Sequence, residues 1–458
     1  MITFSIIQKS QLEGAYRLDA EYYQPEYLKV IENIKSREFR TLEDFGCNVV
    51  SGPFGSSLKS EAYLEQGIPF IRINDLKEFF IQEDSLVYIS EEDNNRLKQS
   101  QLHPFDLVLS KVGNTIGIVS AITEELGISN ISENNIGIKF KNSNLTLAHK
   151  LFLLTFLNSS LGYLQVKRSV SGNAQPKLNI SDISQLIVPS PQINLLKKIE
   201  ELILEAKQSL DSSKLLYGQA ENLLLEELGL KDFQAKDDLS FVVNLSDVKS
   251  ANRVDAEYFQ PKYQKLVEQI KKQNHKQLGE LVSMKKGFES GSEAYQEDGR
   301  LFIRVSSLSK SGIDNKDQKY LSEELYERLQ KDFQPGLGEI LLTKDATPGT
   351  AYVLKEPIDG IISGGILRLK VKGDTDPEYL ALCVSSIIGQ MQAERDAGGS
   401  VIAHWKPEQI RNLLMPILPK EVQQKIADLV RKSHEARKKS KELLEEAKRK
   451  VEEMIENG

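Results

Sequence analysis

Residues 17–27 read RLDAEYYQPEY and residues 253–263 read RVDAEYFQPKY, identical at eight of eleven positions with an offset of 236. Two of the three differences, Leu18 against Val254 and Tyr23 against Phe259, keep their chemical character. Outward from this pair, further matches follow in the same order. GIPFIRINDL at 67–76 parallels GRLFIRVSSL at 299–308, and DLVLSK at 106–111 parallels EILLTK at 339–344. SGNAQPKLNISDISQLIVP at 171–189 parallels GGSVIAHWKPEQIRNLLMP at 398–416. The offsets of 232, 233 and 227 drift slowly, as insertions in loops make them. The chain is written twice, and an internal repeat constrains the architecture before any single element does.

Each copy has the same internal plan. Apolar β-type runs such as PFIRI and DLVLS are punctuated by Gly, Asn and Pro. A helix is predicted near 147–168 and its match over 377–396, and each copy closes on a proline-rich turn and a long helix. Pro191 and Pro419 suit helix starts. In the first long helix Ile199, Ile203, Ala206, Leu210, Ser213, Tyr217, Ala220 and Leu224 step by four and three, the spacing of a coiled-coil seam. A shift of 227 gives Ile426, Val430, Ser433, Arg437, Ser440, Leu444, Ala447 and Val451, with small residues at equivalent places and Arg437 interrupting the apolar run. Each helix spans about 35 residues, roughly 50 Å. Two readings stand: each helix caps its own module, or the two pair antiparallel about a pseudo-twofold axis as a rigid spacer.

The expected fold is α+β, with two tandem mixed α/β modules separated by two long antiparallel coiled-coil helices. The boundaries are 1–190 for the first module, 191–235 for the central helix, 236–418 for the second module and 419–458 for the C-terminal helix. At 458 residues, 40% hydrophobic and 27% charged, the composition is that of a globular protein. No stretch approaches the roughly 18 apolar residues of a membrane helix, and MITFSIIQKS lacks a signal-peptide layout, so a cytoplasmic location is expected. Cys47 and Cys383 cannot form a metal cluster. The net charge of −7 weighs against nucleic-acid binding without excluding it, because a basic footprint need only be local.

GPFGSSLKSEAYLEQGIPFIRINDL, then LVLSKVGNTIG, then GNAQPKLNISDISQLIVPSP and a long helix, together resemble the specificity subunit of type I restriction-modification systems. The resemblance spans nearly the whole chain. The second copy departs from the first, with KKGFESGSEAY for SGPFGSSLKSEAY and TKDATPGTA for SKVGNTIGI. The resemblance implies a non-catalytic subunit whose two target-recognition domains each read one half of a bipartite duplex DNA site. It implies helices that set the spacer, two methyltransferase subunits as partners, and restriction subunits where these are present. No cofactor is expected.

Base reading calls for forked donors and amides, Arg or Lys for guanine and Asn or Gln for adenine. In the first copy the candidates are Ser56, Ser57, Lys59, Arg72, Asn74, Lys111 and Asn114, followed by Lys167, Arg168, Asn173, Gln175 and Lys177. In the second they are Lys285, Lys286, Arg304, Lys344, Arg395, Ser400, His404, Trp405 and Lys406. Any one of these could equally be a solvated surface charge. Arg72 with Arg304, and Lys111 with Lys344, recur in both copies and suit phosphate contact or fold; residues that differ, Gln175 against the His404–Trp405 region, suit base discrimination. Trp405 reads as a core residue or a stacking platform, and SGPFGSS as a phosphate nest or a tight turn. Asp19 and Glu21 recur as Asp255 and Glu257, which favours a structural lock or subunit contact over catalysis.

Five histidines show no metal spacing, and there is no GxGxxG after a strand, no Walker loop and no amino-methyltransferase motif. The alternatives are a scaffold whose paired modules bind proteins, and an enzyme with an unfamiliar site.

Overall fold

The computed structural model describes residues 4–10, 12, 17–141, 145–172, 176–314, 318–397 and 404–457. Asn173, Gln175 and Ser400 lie outside the described residues. Contacts divide the chain into two compact units: Met1–Gln208 with Lys439–Gly458, and Ser209–Lys438.

In the first unit a helix α1 (Pro25–Lys35) leads into strand β1 (Phe39–Thr41) and β2 (Cys47–Ser51). The strands β3 (Ile68–Ile71), β4 (Phe79–Phe80), β5 (Val87–Ile89), β6 (Leu107–Ser110), β7 (Val119–Ala121), β8 (Asn130–Ile131) and β9 (Asn135–Phe140) follow. They form a five-stranded sheet in the order β2-β9-β6-β7-β4 and a three-stranded sheet β5-β3-β8. Then come α2 (Leu147–Asn158), α3 (Ser160–Arg168), β10 (Ile187–Pro189), which pairs antiparallel with β1, and the long helix α4 (Ile193–Glu227). β6 is buried at all four positions and α2 at eight of twelve, the continuous apolar runs of elements covered on every side.

The second unit repeats the plan. Helix α5 (Pro261–Lys271) precedes β11 (His275–Gln277), β12 (Val282–Lys286), β13 (Arg300–Ile303), β14 (Leu308–Ser309), β15 (Gly312–Ile313) and β16 (Lys319–Leu321). Strands β17 (Ile340–Thr343), β18 (Ala351–Val353), β19 (Gly360–Ile362) and β20 (Ile366–Val371) then lead to α6 (Pro377–Ser385), α7 (Ile387–Asp396), β21 (Leu414–Pro416) and the long helix α8 (Lys420–Asn457). The sheet β12-β20-β17-β18 matches β2-β9-β6-β7, the sheet β16-β13-β19 matches β5-β3-β8, and β11-β21 matches β1-β10. The copies differ locally, β4 joining the first large sheet where the second unit has the hairpin β14-β15.

The helix expected over 147–168 is two helices, and so is its match. Ser159 is extended (φ −71°, ψ 163°) and its hydroxyl caps Gly162, while Ser386 breaks the second pair in the same way. After each break a glycine crosses the preceding helix end: a Cβ on Gly162 would stand 2.0 Å from the Phe156 oxygen, and one on Gly389 2.1 Å from that of Val384. The capping serine and the glycine three residues on are thus one device, a capped corner that folds the second helix back on the first.

Each long helix contributes one part to each unit. In the second unit the Ser433 hydroxyl donates to the Ser213 carbonyl at 2.7 Å, and Tyr217 lies with Val430 and His434 around one small cavity, so the two helices run antiparallel there. Ala220, Leu224, Ile426 and Val430 are buried in the same core as Tyr379, Leu380 and Ile410. Pairing and capping therefore coexist in this unit. In the first unit Ile199, Ile203, Ala206, Ala447 and Val451 are buried, and Lys439 pairs with Glu205 at 2.7 Å. Leu210, Tyr217 and Leu444 are half-buried, and Arg437, which interrupts the seam, is exposed.

Candidate nucleic-acid interface

Five segments converge at one edge of the first unit, and backbone hydrogen bonds weld them. The Gly52 amide donates to the Asn135 carbonyl, Ser132 to Ile71, Lys111 to Asn134 and Leu178 to Lys111. The end of β2, the end of β3, the end of β6, the start of β9 and the segment around Lys177 are thereby held at fixed spacing. The second unit repeats each weld: Gly287 to Ile366, Ser363 to Ile303, Lys344 to Gly365 and Trp405 to Lys344. Val112 bridges Lys177 as Asp345 bridges His404. One glycine in each junction is set by close approach: a Cβ on Gly52 would lie 1.9 Å from the Ser132 oxygen, and one on Gly287 2.2 Å from that of Ser363.

The candidate residues separate by what they touch. Arg72 is committed inside the fold: its guanidinium bonds the fully buried Asp75 and also reaches the Ser85 carbonyl at 2.5 Å. Arg304, its match, stands over the Tyr295 ring at 5.9 Å. Arg168 donates to the Tyr22 carbonyl and stacks on the Tyr22 ring at 3.8 Å, with Arg17 over the same ring at 4.6 Å; burial lowers its pKa from the ordinary value. Arg395 and Arg253 flank Tyr258 in the same way, at 5.5 and 4.6 Å. Arg17 also forks onto Asp19 and Arg253 onto Asp255, and each arginine's hydrogen bonds hold its carboxylate below the usual range. The repeated RxDAEY element is a lock between the N-terminal segment and α3 or α7, so Arg168 and Arg395 belong to packing.

At the junction itself, Lys111 donates to the Ser51 hydroxyl at 3.1 Å, and Lys59, Asn74 and Lys177 are exposed. Ser57 sits on the same loop as Lys59; Ser56 and Asn114 are placed by backbone alone. Lys167 lies over the Tyr163 ring at 5.3 Å. In the second unit Lys285, Lys286 and Lys406 are exposed, and Lys286 pairs with Glu289 at 2.5 Å. Asp345 lies between Lys344 (2.5 Å) and His404 (2.9 Å); burial alone would raise its pKa, but these two partners outweigh it and hold the carboxylate below the usual range. Trp405 is 1% exposed within the core, the packing alternative of the two read from sequence. The SGPFGSS amides of Gly52, Gly55 and Ser57 all donate to protein acceptors, Gly55 to the Glu133 carboxylate at 2.6 Å, so this is a tight turn rather than an open phosphate nest.

Sequence reasoning passed over Ser51, Glu133 and Asn134. Setting SENNIGIKF at 132–140 against SGGILRLKV at 363–371 is the signal that would have found the last two. Burial pushes the thiols of Cys47 and Cys383 up to about 12, and no cluster of metal-ligating side chains occurs among the described residues.

The sequence model of the type I restriction modification DNA specificity domain matches the chain twice, over residues 37–212 and 270–449. The chain belongs to that family. It is a DNA sequence-specificity subunit of the type I restriction-modification kind, which selects the target and leaves catalysis to other subunits. Among solved structures it is similar to the type I restriction-modification S subunit from M. genitalium, at 14% identity and a TM-score of 0.41, covering 90% of this chain and 95% of that one. It is also similar to the HsdS subunit from Thermoanaerobacter tengcongensis, at 11% identity and a TM-score of 0.27, covering 90% and 97%. A chain from a study of complex assembly and conformational transition in the type I R-M system matches at 12% identity and a TM-score of 0.28, covering 90% and 98%. None of the curated proteins matches. Family membership rests on the twice-matched domain. No helix among the described residues is long and apolar enough to cross a membrane.

Proposed function

We propose that each specificity domain reads one half of a bipartite DNA site through its welded junction, and that the two long helices set the separation of the halves. The observation that carries this reading is the repeat itself: the same backbone welds join the same strand ends in both units, while the side chains mounted on them differ. A common frame with unlike side chains suits two readers of unlike half-sites. Lys59, Lys111 and Lys177 are the phosphate or base contacts we assign to the first module, and Lys285, Lys286, His404 and Lys406 to the second. The Lys344–Asp345–His404 group adds an acceptor, the chemistry that takes a hydrogen bond from a cytosine or adenine amino group.

Two methyltransferase subunits, one per copy, fit a chain that presents the RxDAEY lock twice, with restriction subunits joining where present; the complex acts on DNA in the cytoplasm. The test is methylome sequencing of a host carrying this chain and its neighbouring methyltransferase, compared with the methyltransferase alone. A bipartite motif that needs the chain is expected. An active methyltransferase with no chain-dependent motif would turn the assignment toward a protein scaffold. Exchanging residues 41–190 for those of a relative should alter one half-site alone.

A further inference from the structure

Phe54 is 83% exposed, on the loop between β2 and the short turn Gly55–Ser57. A lone apolar side chain on a surface carries no message, but three observations separate this one. First, its loop is held on both flanks: Gly52 passes too close to Ser132 to admit a Cβ, Gly55 donates to Glu133, and Arg96 donates to the Ser57 carbonyl at 2.8 Å. Pro53, directly before Phe54, restricts the backbone further. Second, it stands three residues beyond Ser51, whose hydroxyl takes the Lys111 hydrogen bond at the welded junction, and five before the exposed Lys59. Third, counting from the matched glycines Gly52 and Gly287, its place in the second unit is filled by Glu289, which pairs with Lys286.

We propose that Phe54 is a wedge: its ring enters between two stacked base pairs of the half-site read by the first module and opens that one step. The inference rests on the DNA-reading role of the junction. A rigid loop presents a flat apolar ring at little entropic cost, and the flanking lysines supply the phosphate attraction that brings a duplex against it. Pyrimidine–purine steps unstack most easily, so the wedge selects such a step without a hydrogen bond to either base. The carboxylate of Glu289 cannot enter a base stack, so the distortion belongs to one half-site only.

The test uses the full chain assembled with its methyltransferase, on duplexes carrying the bipartite site with 2-aminopurine placed in turn at each step of both halves. Apart from the bases the methyltransferases extrude, the wild-type complex should show unstacking fluorescence at one further step, in one half only. Phe54→Ala should abolish that signal and weaken binding by about tenfold or more, the size of one lost base–aromatic stack, whereas Phe54→Trp should keep both. Equal affinity and an unchanged fluorescence pattern in Phe54→Ala would overturn the wedge and leave the DNA reading intact. So would persistence of the further step's signal in Phe54→Ala, which would trace the unstacking to another part of the complex. Loss of methyltransferase co-purification in Phe54→Ala would also overturn it, by assigning the ring to a protein contact. Failure of the DNA reading itself would show separately, as a wild-type complex with no salt-dependent binding to the site.

Discussion

Among single residues, charge alone does not identify a DNA contact; what the charge already touches does. Arg168 and Lys59 are both basic residues of the first module, yet one is stacked on Tyr22 and bonded to its carbonyl while the other is exposed. Lys59→Ala should leave the melting temperature unchanged and reduce the slope of log K against log salt by about one. Arg168→Ala should lower the melting temperature and leave that slope alone. Salt titrations and thermal melts on the two variants check both, and the reverse pattern would reassign Arg168 to the interface. His434 gives a second expectation. Burial above all, with Lys355 and Arg437 beside it, depresses its pKa to about 3, against Tyr352 at 5.6 Å. The unfolded chain therefore binds a proton that the folded one refuses between pH 6.5 and about 3. Stability from this group is present above pH 6.5 and is lost as the pH falls through that window. Glu378, raised by burial above its ordinary 4.5, acts in the opposite sense from about pH 4.5 upward. His434→Asn should flatten the acid limb of a melting-temperature profile.

At the level of elements, the seam is set by small residues. Ser213 and Ser433 are buried and bonded to each other, and the equivalent Ala206, Ser440, Ala220 and Ala447 are buried as well. Side chains of this size allow close helix approach, so Ser433→Leu forces an overpacked crossing and should destabilise by about 1–3 kcal/mol. Ser433→Ala together with Ser213→Ala should be close to neutral, because both hydrogen-bonding hydroxyls leave together. Denaturant melts of the two variants check this. Periodicity made the seam legible, since spacing of four and three leaves little freedom in a helix. The break between α2 and α3 was not legible in that way: a 22-residue stretch that is apolar at its centre looks like one helix until Ser159 and Gly162 are seen capping and crossing its middle.

For the whole molecule, two reading modules on one chain require that something set their spacing, and the long helices α4 and α8 are the candidates. Inserting four residues in each helix adds about 6 Å. The preferred spacer between half-sites should then grow by one or two base pairs, at roughly 3.4 Å per pair, with both half-sites unchanged. Methylome sequencing of the insertion variant decides it, and an unaltered spacer would remove the helices from the role of ruler.

The duplication, the register of the two long helices, the mixed α/β character of each copy and the family are all legible before folding, because they live in spacing and order along the chain. Which basic residues are spent on packing emerges from the folded contacts. Arg72 lies 3.2 Å from a buried aspartate and Arg168 lies on a tyrosine ring, while Lys59 meets solvent. The fold also shows that the amides of Gly52, Gly55 and Ser57 donate within the protein, that Trp405 is core and that Phe54 is exposed. The physical reason is the same in each case. A residue's chemistry is local, but whether that chemistry is still available depends on what the fold sets beside it, from Asp75 three positions from Arg72 to Ser51 sixty positions from Lys111.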